Sequence, residues 1–197
     1  MLAALLAARA TAGDEDAATR QIVQQYGACM VRFYHERLKV YVLAADGSVR
    51  PPAPLPDCVG RDGMLRMSEP IYRMVFAEAL LKRDFRDGLP ATLAAGRAGE
   101  PGAPDRPMLM ANAMELTRRL DALGRCVAYR RPSDAYRLIR TRPASPEENA
   151  GVGALMPTLT ACGLKGVLPQ SVNNVRGAVA VGLYRAAMAE QGGAAVQ

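Results

Sequence analysis

Two stretches of this chain, offset by 97 residues, carry the same series of small, apolar and cysteine positions. Gly27-Ala28-Cys29 recurs as Gly124-Arg125-Cys126. At that offset Val23, Tyr26 and Met30 correspond to Leu120, Leu123 and Val127, and Leu38, Tyr41 and Val42 correspond to Ala135, Leu138 and Ile139. Past the second cysteine of each stretch the offset becomes 103. There GMLRMSEPIYRMVFAEALLK (63–82) lies over GVLPQSVNNVRGAVAVGLYR (166–185), with Gly, Leu, Ser, Arg, Ala and Leu at matching places. One matched pair would be chance. An ordered series containing both cysteines points to an internal duplication, in which each unit buries its apolar face against a neighbour.

Each half reads as helices. The first, about 15–33, puts Ile22, Tyr26, Cys29, Met30 and Phe33 on one stripe, with Asp14, Glu15 and Asp16 at the positive end of its dipole. Its counterpart, about 110–129, puts Leu116, Leu120, Leu123 and Val127 on one stripe. A short second helix follows, about 35–45 in one half and 133–141 in the other, the latter capped by Ser133. The halves then diverge. Arg50-Pro51-Pro52-Ala53-Pro54 cannot be helical, whereas Ser145-Pro146-Glu147-Glu148 is a capping box with proline at the first helical position. That inserted helix buries Val152, Leu155, Met156 and Leu159, and Pro157 should kink or divide it. Each half ends in a helix capped by Ser68 or Ser171, the last burying Val172, Val175, Val179 and Leu183. Trp is absent, and isoleucine occurs only at Ile22, Ile71 and Ile139. That scarcity of strand formers agrees with an all-α fold.

Four cysteines allow three pairings. The repeat selects Cys29 with Cys58 and Cys126 with Cys162, one bridge per half, each worth about 3–4 kcal/mol on loop-closure entropy. The plain alternative is four free thiols in a cytosolic protein. No C-x-x-C occurs and His35 is the sole histidine, so neither a zinc site nor a redox-active pair is expected.

The chain starts MLAALLAA, followed by small residues suited to cleavage after Ala12 and then by an acidic segment. This pattern reads as the remnant of a secretory signal peptide over 1–12, without its basic start; the plain alternative is a short N-terminal helix of a cytosolic protein. The helical halves are then 13–83 and 108–197, joined by 84–107. That segment is rich in Gly and Pro and reads as a flexible linker. No apolar run approaches the roughly 18 residues that cross a bilayer, so no transmembrane span is expected in the mature chain.

CVAYRRPSDAYRLIRTRPASPEENAGVGALMPTLTAC followed by LPQSVNNVRGAVAVGLYR resembles small exported helical proteins of sphingomonad-type alphaproteobacteria. The shared elements are Cys126, the cap at Ser145, Cys162, and a closing Leu183-Tyr184-Arg185. The first half resembles that pattern more weakly and lacks the capped middle helix. The resemblance implies location and fold and carries over no catalytic residue, cofactor or ligand.

Net charge is +6, carried almost wholly by arginine. Arg130, Arg131, Arg137 and Arg140, with Arg125 and Arg142, gather around the second helix of the second half. Several guanidinium groups there could hold a phosphate, a carboxylate or an anionic envelope polymer, and these four are the candidate anion-binding residues. A solvated basic face is the plain alternative. His35 lies at a helix junction with no nucleophile beside it in sequence, and reads as an exposed or capping residue. Glu147 and Glu148 are explained by the capping box, and Gly151-x-Gly153 lacks the strand and third glycine of a phosphate loop. No catalytic, cofactor-binding or metal residue is therefore expected.

The expected function is a non-enzymatic periplasmic or secreted protein with a structural or binding role in the envelope. Its contact would be the groove between the halves or the arginine surface, and its partner an anionic envelope component or a protein. A periplasmic hydrolase acting on an envelope polymer is the competing reading; it requires converging carboxylates of raised pKa. Nucleic-acid binding is not expected, because Tyr129 and Tyr136 give little aromatic interleaving and export removes the partner.

Overall fold

The computed structural model describes residues 2–44, 48–59, 67–95, 113–164 and 171–194. Side chains are described from Ala17 in the first helix, from Thr117 in the fifth and over 173–192 in the last. The described residues form eight helices and no strand: α1 (Leu2–Leu43), α2 (Pro56–Val59), α3 (Glu69–Asp84), α4 (Ala91–Ala94), α5 (Ala113–Arg130), α6 (Pro132–Arg140), α7 (Pro146–Ala161) and α8 (Ser171–Ala194). The all-α expectation is met.

α1 is two helices joined at Tyr34, whose backbone (φ −120°, ψ 30°) leaves the helical region. Beyond that break Leu38, Tyr41 and Val42 are fully buried. α5 and α6 are separated at Arg131 (φ −142°, ψ 55°), beyond which Ala135, Leu138 and Ile139 are fully buried. In both places a turn of non-helical backbone lets a long amphipathic run fold its second segment onto the core. α6 begins at Pro132, so Arg131 takes the capping position expected for Ser133, and the Ser133 hydroxyl donates to Ala94 O instead. Proline at the first helical position fixes that boundary.

α1 packs on α3 and α5 on α8, and α3 and α8 pack on each other, so α8 meets both sets. Tyr26 and Tyr41 of α1 pack against Phe76 of α3, and Leu123 and Val127 of α5 share the core with Val175, Val179 and Leu183 of α8. α7 packs on α5, α6 and α8 and buries Val152, Leu155 and Leu159. Glycines set two of these crossings. A Cβ on Gly124 would lie 1.9 Å from Ala178 O, and one on Gly182 2.1 Å from the Gly124 carbonyl carbon, so α5 and α8 touch backbone to backbone. A Cβ on Gly27 would lie 2.7 Å from Val75 Cγ1, which brings α1 close against α3.

The expected core stripe of α1 needs correction. Tyr26 and Met30 are buried, but Ile22 and Phe33 are 54% and 57% exposed, and Val31 is buried in their place. The stripe therefore sits on the side of α1 that Gly27 opens toward α3. Of the kink or division expected at Pro157, division does not occur: α7 runs through it as one helix. Gly153, whose carbonyl loses its donor to the proline ring, is exposed and faces water. Ser68 stands at the N-cap of α3 without a side-chain capping bond. Leu116, Val172 and the side chain of Ser171 lie outside the described side chains.

Cys29 and Cys58 are at disulfide distance (Cα–Cα 5.5 Å), as are Cys126 and Cys162 (5.8 Å). The first pair fastens α1 to α2, the second α5 to the end of α7. Of the segment 84–107, residues 84–95 are described. There Phe85 packs edge-on to Tyr184, and Leu93 of α4 is fully buried. Residues 96–107 lie outside the described residues, as do the side chains of 1–12.

Candidate functional site: a charged groove between the two helix sets

α1, α3 and the start of α8 border a groove of about 510 Å³. Its walls are largely apolar, from Val23, Ala28, Ile71, Met74, Val75 and Ala79. Its charged wall holds Arg20, Glu78, Lys82 and Arg176. Met74 lies directly over Gly177, where a Cβ would come within 2.6 Å of its sulfur. A flexible thioether thus forms part of the floor at the point where α3 crosses α8.

Arg176 organises the polar wall. It is only 3% exposed and comes from α8, in the otherwise apolar run Val175 to Leu183. Its guanidinium grips Glu78 of α3 through two bonds, Nε to Oε2 at 2.9 Å and Nη2 to Oε1 at 2.8 Å. Nη1 reaches Glu148 Oε1 of α7 at 2.9 Å. The remaining donors close the C-terminal end of α6, reaching Leu138 O at 3.1 Å, Ile139 O at 2.8 Å and Thr141 O at 3.0 Å. A single side chain therefore satisfies orphan carbonyls at a helix end and two buried carboxylates.

Glu148 is completely buried. Besides Arg176 it takes both oxygens' worth of contact from Arg20 Nη2, at 2.6 and 2.7 Å, and accepts the Ala144 N–H at 2.8 Å. The Ser145 hydroxyl caps α7 by accepting the Glu148 N–H at 3.2 Å, as the capping box requires. Glu78 also accepts from Lys82 Nζ at 2.7 Å and from the Gln24 amide. Burial alone would raise the Glu78 carboxyl; the charges and hydrogen bonds of Arg176 and Lys82 outweigh it and hold that carboxyl below its usual range. The network thus joins α1, α3, α7 and α8 through three cations and two carboxylates.

Sequence reading missed this wall. Glu148 had a complete local explanation as a capping residue, and its tertiary partner Arg20 lies 128 positions away. The available signal was Arg73 matched with Arg176 at the 103-residue offset, each with apolar residues close by in sequence. Arg73 is 5% exposed, donates to Ala44 O beyond α1 and to Glu69 Oε1 at 2.7 Å, and lies 5.0 Å from the Tyr41 ring centre.

His35 sits just past the break in α1. Its Nε2 is 2.6 Å from Asp84 Oδ1 and its Nδ1 is 2.8 Å from Glu36 Oε1. Asp84 Oδ2 accepts the Tyr184 hydroxyl at 2.8 Å, and burial together with that bond pushes the Tyr184 phenol well above its usual range. The chain of contacts ties the α1 break to the end of α3 and to α8, which is a joining role.

The candidate anion-binding arginines are all exposed. Arg137 and Arg140, with Arg142, border a shallow depression that also holds Tyr136, Thr141 and Glu147. Arg130 and Arg131 do not border it. Arg131 and Arg137 flank Asp134, and Arg140 lies 5.9 Å from the Tyr136 ring centre. Asp134 thus offsets part of the positive charge of this face. Among the described residues no cluster of His, Cys, Asp or Glu is arranged to hold a metal ion, and no helix is long and apolar enough to cross a membrane. No family model, no curated protein and no solved structure matches this chain.

Proposed function

We propose that this is a non-enzymatic extracytoplasmic binding protein of the cell envelope, and that the groove between its two helix sets is the ligand site. The observation that carries the reading is the character of that groove. It is a 510 Å³ space with apolar walls and a few convergent polar groups, within the roughly 300–1,000 Å³ usual for small-molecule sites. The competing hydrolase would need carboxylates poised to exchange protons. Glu78 is instead held ionised by Arg176 and Lys82, which suits fixed charge better than acid catalysis. Two cysteine pairs at disulfide distance fit an oxidising compartment.

The reading includes an internal duplication, and several paired features support it. Helix breaks fall at Tyr34 and Arg131, the same 97-residue offset as the cysteine motifs. Gly27 lies against Val75 and Gly124 against Ala178. Arg73 reaches Ala44 O and Arg176 reaches Thr141 O, each closing the end of the short helix of its own half. Met74 and Gly177, matched positions of the two final helices, touch each other, as residues on a local twofold axis would.

Two measurements test the binding role. Protein released from the periplasm is analysed by native mass spectrometry, and the same protein is incubated with purified cell-wall sacculi. The expected result is a non-covalent ligand mass that disappears in Ala28→Trp, with no soluble fragments released from the polymer. Release of polymer fragments, abolished by Glu78→Gln, would establish the hydrolase instead.

A further inference from the structure

The charges of the groove narrow what it can hold. Three cations, Arg20, Lys82 and Arg176, border it together with one carboxylate, Glu78. The second carboxylate of the network, Glu148, is fully buried behind Arg20 and Arg176. Among the described residues these three cations and two carboxylates leave one positive charge over. Arg176 is sealed in by its seven hydrogen bonds to Glu78, Glu148 and the α6 end. Lys82 is different: its side chain is 31% exposed and anchored by Glu78 at 2.7 Å. Its ammonium is therefore the cation that an incoming group can reach.

Opposite this charge lie Val23, Ala28, Ile71, Met74, Val75 and Ala79, with Ile71 itself 40% exposed. Apolar surface of this kind favours an apolar partner, and Met74 can repack around one. Glu78 takes one of the three ammonium donors of Lys82, so a carboxylate can share that cation, whereas a cationic ligand would meet it with repulsion. We propose that the groove binds a single-chain amphiphile with one carboxylate head, its head at Lys82 and its tail along α1 and α3. This rests on the binding reading above and names the ligand class for that same groove.

The test uses the oxidised full chain and three probes of equal tail length, dodecanoate, dodecanol and dodecyltrimethylammonium, each below its micelle concentration, by titration calorimetry. Dodecanoate should bind saturably, one per chain. Lys82→Gln should weaken it about tenfold and Lys82→Arg should restore it, with all variants checked for unchanged thermal melting. Ala28→Trp should abolish it by filling the groove. Dodecyltrimethylammonium binding as tightly as dodecanoate would overturn the proposal. So would dodecanoate binding that is indifferent to both Lys82→Gln and Ala28→Trp, or association with phosphatidylglycerol vesicles and none with dodecanoate monomers. Failure of dodecanoate to bind, while a co-purified ligand still disappears in Ala28→Trp, would remove this ligand class and leave the binding role intact.

Discussion

Arg176 ties together more groups than any other residue of the network, and its removal takes a shared cation from two carboxylates at once. A buried ion pair that loses one partner leaves a charge without compensation. Arg176→Met should therefore cost about 3–5 kcal/mol in urea unfolding, with Glu78 left to Lys82 and Gln24, Glu148 left to Arg20, and the carbonyls at the end of α6 deprived of their donor. Its counterpart Arg73→Met should cost less, about 1–3 kcal/mol, because it gives up one carbonyl and the half-exposed Glu69. The network also sets an acid limit. Glu78 has a folded pKa below its ordinary value of 4.5, so its contribution is present in full above that pH. It is lost as pH falls below 4.5 toward the depressed folded value, because the unfolded chain then binds the proton more readily. Acid titration of the melting temperature should show this loss, and Glu78→Gln should flatten that limb. A profile identical in the variant would contradict the assignment. At this scale sequence was least informative. Glu148 was readable as a capping residue, and is one, but periodicity has no means of finding a guanidinium that arrives from another helix.

At the scale of the element, the apolar periodicity located every long helix, and the failures have local causes. Ile22 and Phe33 share a helical face with Cys29, yet the glycine that permits close approach, Gly27, turns the buried side of α1 toward Tyr26, Met30 and Val31. A stripe drawn from hydrophobicity alone weighs large side chains and overlooks the residue that lacks one. The short helix α6 starts one residue before Ser133, because proline at the first helical position outweighs a serine cap. The glycines give a paired prediction. Gly124→Ala pushes a methyl into Ala178 O and should destabilise by about 1–3 kcal/mol. Gly153→Ala, in α7 with nothing within 4 Å, should stabilise by about 0.4–1 kcal/mol through a less flexible unfolded chain. Equal effects of the two substitutions in denaturant melts would mean that α5 and α8 do not meet backbone to backbone.

Across the whole molecule, two helix sets share one continuous core, and each carries its own cysteine pair. Removing the Cys126–Cys162 crosslink with paired serine substitutions should cost about 3–4 kcal/mol, and removing Cys29–Cys58 about the same, since the closed loops of 36 and 29 residues differ little in closure entropy. The pairing was legible because two matched stretches of sequence each hold two cysteines in similar company. The groove was legible only as a gap between halves. Its charged wall was hidden, since it is assembled from four helices far apart along the chain. Two helix sets, each holding one cysteine pair at disulfide distance, make up the molecule. The most direct test is a peptide map of unreduced protein isolated from its native compartment. The expected map contains Cys29 joined to Cys58 and Cys126 joined to Cys162; a peptide joining either of the first two to either of the last two, or four unlinked thiols, would contradict it.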